Sequence, residues 1–580
     1  MKKQEEFSLK NYFVPFTTAK AASFLIIIGI AVFFFGLFNG FVGDDQIQIV
    51  RNPAIQSLFN IPSFFSGSTF YTGGQQLAGF SYKPILDIFY AFCFFLGGGS
   101  AFPFHFIQLL LYIADAVILF FVLKKFFNTK LSFFLSLLFL VHPINSESAY
   151  YIADMQEVLF FFFGSISLLI FQNHNSPKAI ISASVLLLFS LLSKETGILF
   201  LMISLTYIFI YKRKIFLPSL GASIVLLLIY AVLRISAIGI FPNTPLTSNI
   251  SALTLGERLI DMPAILFFYI KTFIFPQNLA ISYQWIYREI SFSTFFLPLI
   301  SDLVFLGILS YLGFYVNKKS KDRLKLFLFF GFWFAIGTLL LIQIIPLDQT
   351  VSDRWFYFPV VGLLGMLGVF IKTVKMKLDR RLIIAISIIL VSLLSLRTFM
   401  RSFDFKNDFT IASHDIKVSP ASFGLENELA SAYAKQGNYR LSKLQAEKSL
   451  ALRPTQTSYI DLGVADTFLG DYGGAQKAYL SSLKFGDYYI TYENLAALYI
   501  VYGNPKQNIS YIKNVALKKF PNDYKLWLYV AILEYKNGFK AQATTDIKNA
   551  YALNPSQQIL PVYNTILNGK KLNTFFNLSK

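Results

Sequence analysis

Long apolar runs separated by short polar loops fill the first 400 residues. Runs at about 21–40, 102–123, 131–143, 154–172, 178–192, 195–211, 214–236, 294–316, 325–346, 355–372 and 382–400 predict about 11 transmembrane helices, because about 20 apolar residues cross a hydrocarbon core. Basic residues sort the loops. Lys2-Lys3, Lys124/Lys125/Lys130, Lys178, Lys212-Arg213-Lys214, Lys318 to Lys325 and Lys372 to Arg381 are expected on the cytoplasmic side. Asp44-Asp45, His142 to Asp154, Lys194-Glu195, 237–293 and Asp348 to Arg354 then fall on the opposite side. Segments 84–98 and 262–276 would invert the loops downstream if they spanned. They are read as juxtamembrane or re-entrant helices on the outer face, where protein or a cavity covers non-spanning backbone. No small-residue cleavage pattern follows the first run, which reads as an uncleaved signal anchor with a cytoplasmic N-terminus.

The pattern changes after Arg401, where hydropathy falls. Residues 402–421 read as a linker, and 422–580 as a helical repeat outside the membrane. Gly437, Gly470, Gly503 and Gly538 recur at spacings of 33, 33 and 35 residues. Leu429-Ala430, Leu462-Gly463, Leu495-Ala496 and Val530-Ala531 precede them in register, and Ala475 and Ala543 follow. A period near 34 with small residues where paired helices touch is the tetratricopeptide (TPR) pattern, in about four repeats. The third is degenerate, with Pro505 and Asn508 at consensus positions. Such a domain is either a generic scaffold or a concave groove for an extended peptide or a subunit. The fold class is thus all-α: a polytopic bundle over 1–401, with an outer loop at 41–101, then a TPR solenoid.

Composition agrees. The 580 residues are 55% hydrophobic and 18% aromatic, with a mean hydropathy of +0.54, which places the chain in the membrane class. The net charge of +19 lies largely in short loops. It therefore reads as a topology signal with the lipid bilayer as partner, not nucleic acid. Cys93 alone excludes an internal disulfide. His105, His142, His174 and His414 lack metal-ligand spacing. No metal site is assigned and no cofactor is required, although the outer carboxylates could hold a divalent ion. Asn249, Asn508 and Asn577 begin acceptor-type sequons on the expected outer side, a tripeptide common by chance.

The chemistry-bearing residues gather on that outer side. Asp44-Asp45 follows the uncharged stretch Ala21 to Gly43. Two neighbouring carboxylates at a membrane rim can cap a helix, or can raise one pKa and supply a general base. Lys83 precedes a proline and is either an interfacial anchor or a phosphate contact. In His142-Pro-Ile-Asn-Ser-Glu147, His142 reads as a helix-end residue, while Glu147 and Asp154 are candidates because acids near spans are costly. Lys194-Glu195 at a tight turn reads as a self-neutralising pair. Arg354, in Asp353-Arg-Trp-Phe-Tyr357, suits bidentate phosphate binding or an interfacial anchor. Asp115 and Asp87 stand out as acids inside apolar segments. Acids and isolated cations on one membrane face suit a lipid-linked phosphate whose head group sits at the interface.

The order Gly43-Asp44-Asp45, Arg51-Asn52-Pro53, Tyr82-Lys83-Pro84, His142 to Glu147, Leu192 to Glu195 and Asp353 to Pro359, with TPR repeats last, resembles the transmembrane and TPR repeat-containing O-mannosyltransferase-like family. More distantly it looks like other C-type (GT-C) glycosyltransferases. The resemblance implies transfer of a sugar, such as mannose, from a polyprenyl phosphate to a hydroxyl, with protein Ser/Thr as the acceptor, on the non-cytoplasmic face and with inversion. It maps the catalytic base onto Asp44 or Asp45, Asp44 being preferred, and the donor-phosphate cations onto Lys83 and Arg354. Lys83 stands where the family more usually has Arg. Glu147, Asp154, His142, Lys194 and Glu195 become acceptor-side or supporting residues. The TPR domain could hold the acceptor protein or peptide. A bacterial plasma membrane and the endoplasmic reticulum are both compatible. Competing readings are a GT-C enzyme acting on a lipid or envelope glycan, a membrane-anchored TPR scaffold for envelope assembly, and a transporter.

Overall fold

The computed structural model describes residues 15–71, 77–78, 81–239, 248–374, 379–557 and 559–572. Lys2, Lys3, Lys375, Lys377 and Asn577 lie outside them. The chain divides into two compact units, residues 1–69 with 79–420, and 70–78 with 421–580. The described residues are helical apart from a two-residue strand pair, Phe70–Tyr71 with Leu77–Ala78, and one isolated bridge between Tyr283 and Val351.

Eight helices among the described residues are long and apolar enough to cross a membrane. They are Thr18–Phe38, Ala101–Lys124, Ile152–Asn173, Arg213–Ile238, Phe292–Lys319, Lys321–Leu341, Asp353–Thr373 and Arg381–Asp404. The other three expected spans form shorter helices, Thr129–Val141, Pro177–Ser193 and Ile198–Tyr211, of 13, 17 and 14 residues. At a rise of about 1.5 Å per residue these fall short of a core about 30 Å thick. Pro84–Gly97 is short as well, and Leu255–Ile274 is not among the eight. The ends follow local chemistry. Asn128, Ser176 and Ser320 cap the helices they precede. Thr254 and Glu257 form a reciprocal capping box.

Aromatic rings and glycines pack the membrane unit. Phe200, Trp333 and Phe358 meet at centroid distances of 5.1–5.7 Å. A Cβ added at Gly362 would lie 2.4 Å from the Phe334 nitrogen and 2.7 Å from the Phe330 carbonyl oxygen. The helices Lys321–Leu341 and Pro359–Thr373 thus touch backbone to backbone, the small-residue packing that substitutes for a hydrophobic drive inside lipid. The connections are also buried. Every residue from His142 to Met155 is buried, so its polar groups need internal partners.

The second unit is built of helix pairs: Phe423–Lys435 with Tyr439–Leu452, Gln456–Leu469 with Tyr472–Ser482, Tyr489–Tyr499 with Pro505–Tyr511, and Tyr524–Lys536 with Lys540–Leu553. The helix Leu560–Leu567 follows. Each repeat glycine sits after a first helix at φ between 76° and 90°, which ends it in a left-handed turn. Ala430, Ala475, Ala496, Ala531 and Ala543 are all 0–1% exposed at the helix contacts. Pro505 opens the second helix of repeat three, which passes into a π-turn at Ile512–Ala516. The Asn508 amide donates to the Tyr502 carbonyl at 2.8 Å, and that of Asn249 to the Gln284 carbonyl at 2.7 Å. Both sequon side chains are therefore already engaged in the fold.

The glycine contact is testable. Gly362→Ala forces backbone apart and is expected to cost about 1–3 kcal/mol, read as a lower unfolding temperature in detergent. Gly221→Ala, at a site with nothing within 4 Å of the added carbon, is expected to leave that temperature unchanged.

Candidate active site

The loop after the first span is held by hydrogen bonds to the segment 402–408. The Asn39 amide donates to the Ser402 carbonyl at 3.0 Å, the Gly40 N–H to the Lys406 carbonyl at 3.0 Å, and the Gly43 N–H to Asp408 Oδ1 at 2.9 Å. Gly43 adopts a φ of 53°, and the two acids after it have separate surroundings. Asp45 is 0% exposed. Its Oδ2 accepts the Val42 N–H at 2.9 Å and its Oδ1 the Ala153 N–H at 2.7 Å. It latches the loop onto the buried 142–155 connection and offers a substrate no access. Asp44 is solvent-accessible, with charged groups of other segments close enough to act on its carboxyl. Burial is the largest influence on its carboxyl and pushes it above the ordinary range; Arg354 pulls it down, Asp348 pushes it up, and Lys83 and the Tyr151 hydroxyl pull it down.

Three other segments supply those neighbours. Lys83 immediately precedes the Pro84–Gly97 helix, and its N–H donates to Thr69 Oγ1 at 3.1 Å. Burial lowers its ammonium pKa; Glu195 raises it, Lys194 lowers it, and Asp348 and Glu157 raise it. Arg354 lies at the end of the loop that returns from Lys321–Leu341. Its Nη1 is 2.7 Å from Glu147 Oε1 and its Nε 3.1 Å from Asp154 Oδ1. Its N–H donates to Glu147 Oε2 at 3.1 Å. The two acids expected on the acceptor side thus form the counter-charge of this guanidinium. The Arg354 reading as an open phosphate fork is modified accordingly, since both edges of the fork are engaged.

The loop that carries Asp348 is stapled. Gln343 holds a left-handed φ of 63°. Its amide donates to the carbonyls of Gln349 and Thr350 at 2.8 and 3.0 Å, and its Oε1 accepts the Leu347 N–H at 2.9 Å. Arg258 donates to the Gln343 and Ile344 carbonyls at 2.9 and 3.1 Å. The Asp348 side chain, exposed at the loop apex, acts electrostatically on Asp44, Lys83 and Arg354 together.

Two expectations are corrected. Lys194 does not neutralise Glu195: its ammonium pairs with Glu157, 37 residues earlier on the neighbouring helix. Glu195 is the charged group that acts most strongly on Lys83. His142 is not at the cleft. Its Nε2 meets the Phe273 carbonyl at 2.9 Å, its Nδ1 accepts the Ile144 N–H at 3.2 Å, and its ring stacks on Phe273. Burial lowers its pKa to about 4, so it is a neutral clamp of the loop. It stands at the C-terminal end of the helix Thr129–Val141.

The arrangement brings Asp44, Lys83, Arg354, Glu147, Asp154, Lys194 and Glu195 into one electrostatic neighbourhood. Sequence reasoning passes over Tyr151 and Glu157 and gives Asp348 no role. Glu157 had a signal, an acid inside an expected span; Tyr151 had none. Among the described residues no three His, Cys, Asp or Glu side chains are grouped to hold a metal ion. A cavity of about 600 Å³ lies elsewhere, an apolar groove along Leu297–Lys319 and Lys321–Leu341 lined by Leu306, Gly313 and Phe327 among others.

No protein-family model matches the chain. It is similar to protein O-mannosyl-transferase F38B6.6 of Caenorhabditis elegans, 24% identical over 441 residues that cover 71% of this chain and 60% of that protein. It is similar to human protein O-mannosyl-transferase TMTC3, 23% identical over 463 residues that cover 71% and 49%. The chain thus spans 49–60% of the length of these curated relatives. Among solved structures, ArnT from Cupriavidus metallidurans bound to undecaprenyl phosphate aligns with 14% identity and a TM-score of 0.39, over 83% of this chain and 81% of that one. The TPR domain of P58(IPK) aligns with 13% identity and a TM-score of 0.19, over 70% and 97%. The resemblance read from motif order is matched by the sequence relatives, which are protein O-mannosyl-transferases.

Proposed function

We propose that this protein is a membrane glycosyltransferase of the GT-C type that moves a sugar from a polyprenyl-phosphate donor to a hydroxyl acceptor, a protein Ser or Thr side chain. The observation that carries this reading is one accessible acid, Asp44, whose carboxyl is acted on by cations from two other segments, Lys83 and Arg354. The similarity to O-mannosyl-transferases supports it. Asp44 takes the hydroxyl proton as the acceptor oxygen attacks the anomeric carbon. The bond from that carbon to the phosphate oxygen breaks, and the phosphate leaves with the electron pair. A single displacement inverts the anomeric centre. Lys83 meets the leaving phosphate as its charge develops. Arg354, already balanced by Glu147 and Asp154, keeps Asp44 ionised and adds its field to that of Lys83. The cleft faces the non-cytoplasmic side, opposite the lysine-rich loops. The repeats hold the acceptor chain.

Sugar transfer by the purified full chain, from a panel of polyprenyl-phosphate sugars, tests the reading. Asp44→Asn is expected to lower kcat by about 10²–10⁴ with insertion intact. Full transfer by that variant, or no turnover of any donor by well-folded wild type, would sink the proposal. Asp45→Asn is expected to act through stability, at about 1–3 kcal/mol for a weakened buried latch. Because burial raises the Asp44 carboxyl and a base must be ionised, kcat should fall as pH drops through a midpoint above the ordinary carboxylate value of about 4. Arg354→Leu leaves two buried carboxylates unpaired and is expected to cost about 3–5 kcal/mol, measured as thermal stability.

A further inference from the structure

We infer that Tyr151 is a positioning residue for Asp44: its single hydroxyl ties the Asp44 main chain to the Asp44 carboxylate and aims that carboxylate into the cleft as the ionised base. The inference rests on the reading of Asp44 as the base.

The geometry begins with one short bond. The Asp44 N–H donates to Tyr151 Oη at 2.8 Å. A phenol has one proton, and an oxygen that accepts an N–H through a lone pair keeps that proton free to donate. On this inference the proton goes to the Asp44 carboxylate, whose pKa the neighbouring hydroxyl pulls down. One oxygen thus restrains both ends of the residue. A charge-assisted bond of this kind is stronger than a neutral one, and it favours the ionised carboxylate.

The phenol itself cannot swing. Tyr151 is 4% exposed, and its ring lies against Phe405 at 6.4 Å. Its N–H donates to the Glu147 carbonyl at 2.9 Å, and its carbonyl accepts the Asp154 N–H at 3.0 Å and the Gln108 amide at 2.7 Å. Glu147 and Asp154 are the two acids that hold Arg354. Tyr151 therefore joins the rigid Arg354 cage to the accessible acid. The other groups acting on Asp44 are Arg354 and Lys83, which favour its charge, and Asp348, which opposes it. Asp45, next in the chain, is engaged by the Val42 and Ala153 amides.

The neighbouring tyrosine provides an internal control. Tyr150 packs on the same Phe405 ring at 5.8 Å. Its hydroxyl lies instead within reach of the carbonyls of Thr398 and Val32, at 3.2 and 3.5 Å, and donates its one proton there. Removing it takes away a buried hydroxyl of the same kind without touching Asp44.

The test follows the carboxyl directly. Infrared difference spectra of the full chain between pH 3 and 9 report protonated carboxyl bands, and Asp44→Asn assigns the band of Asp44. Tyr151→Phe is expected to raise its midpoint by about one pH unit. It should lower kcat about tenfold, with donor KM changed less than about twofold. Tyr150→Phe is expected to leave the midpoint where it is. Site-specific 3-fluorotyrosine at position 151, a stronger donor of nearly the same size, should lower the midpoint, and it covers the case of a misfolded Tyr151→Phe. Equal midpoints in wild type, Tyr151→Phe and the fluorotyrosine protein would overturn the inference, as would an equal shift in Tyr150→Phe. Full transfer by Asp44→Asn would instead overturn the reading of Asp44 as base, whatever the midpoints show.

Discussion

The membrane unit depends on one buried guanidinium. Arg354 is 7% exposed, in a region where an unpaired charge would cost several kcal/mol. Two carboxylates from the 142–155 connection balance it, and its own N–H completes the bonding of Glu147. The helix from Pro359 and the buried loop between Thr129–Val141 and Met155–Asn173 must therefore meet in one register. Both acids lie in short 3-10 or helical turns, which let an unusually compact loop present two carboxylates to the same cation. The ring contacts of Tyr357 with Phe139 and Phe161, at 4.8 and 5.1 Å, lie directly behind this junction.

Against that fixed frame, the adjacent acids Asp44 and Asp45 divide their work. Asp45 accepts two backbone N–H groups and is inaccessible; Asp44 is accessible and interacts with charged groups at longer range. The same turn thus supplies a buried latch and an accessible carboxyl one residue apart. A latch that placed its neighbour poorly would be useless for catalysis, since a misplacement of about 1 Å can cost about a hundredfold. The Asp45–Ala153 bond and the Tyr151 hydroxyl act on the same short stretch of chain from the same loop, which keeps that error small.

Much of this was legible in the sequence because it is written in periods and in order. Apolar runs gave the long helices, and the glycine spacing gave the repeats. The motif order drew together Asp44, Lys83, Glu147, Asp154 and Arg354, although they lie far apart in the chain. Three expected spans came out short because hydropathy alone does not measure helix length: Thr129–Val141 stops at a His-Pro step. The partners of charges were not legible. Lys194 and Glu195 adjoin in sequence, but Lys194 sits in an extended backbone conformation, where successive side chains diverge, and its ammonium reaches the helix opposite. His142, read as a helix-end residue, clamps backbone on both sides, with one ring nitrogen on the Ile144 N–H and the other on the Phe273 carbonyl, far away in the chain. Tyr151 could not be singled out among 32 tyrosines, since its role depends on a bond that spans more than 100 residues.

The loop that bears Asp348 shows where the structure accepts strain. Gln343 is a non-glycine residue in the left-handed region, a conformation that costs of order 1 kcal/mol or more. Its side chain offsets that cost with three bonds to the loop it begins. The same loop is tied on its other flank by the Tyr283–Thr350 backbone bond at 2.9 Å and by Thr350 Oγ1 to the Trp285 carbonyl at 2.6 Å. So many restraints on ten residues exceed what a simple connection needs. They leave the Asp348 carboxylate as the one charged side chain of the stretch 343–352, presented from a rigid apex to Asp44, Lys83 and Arg354. That charge raises the proton affinity of the Asp44 carboxyl and favours the charged form of the Lys83 ammonium. The bonds of Gln343 thus help to fix where that charge stands.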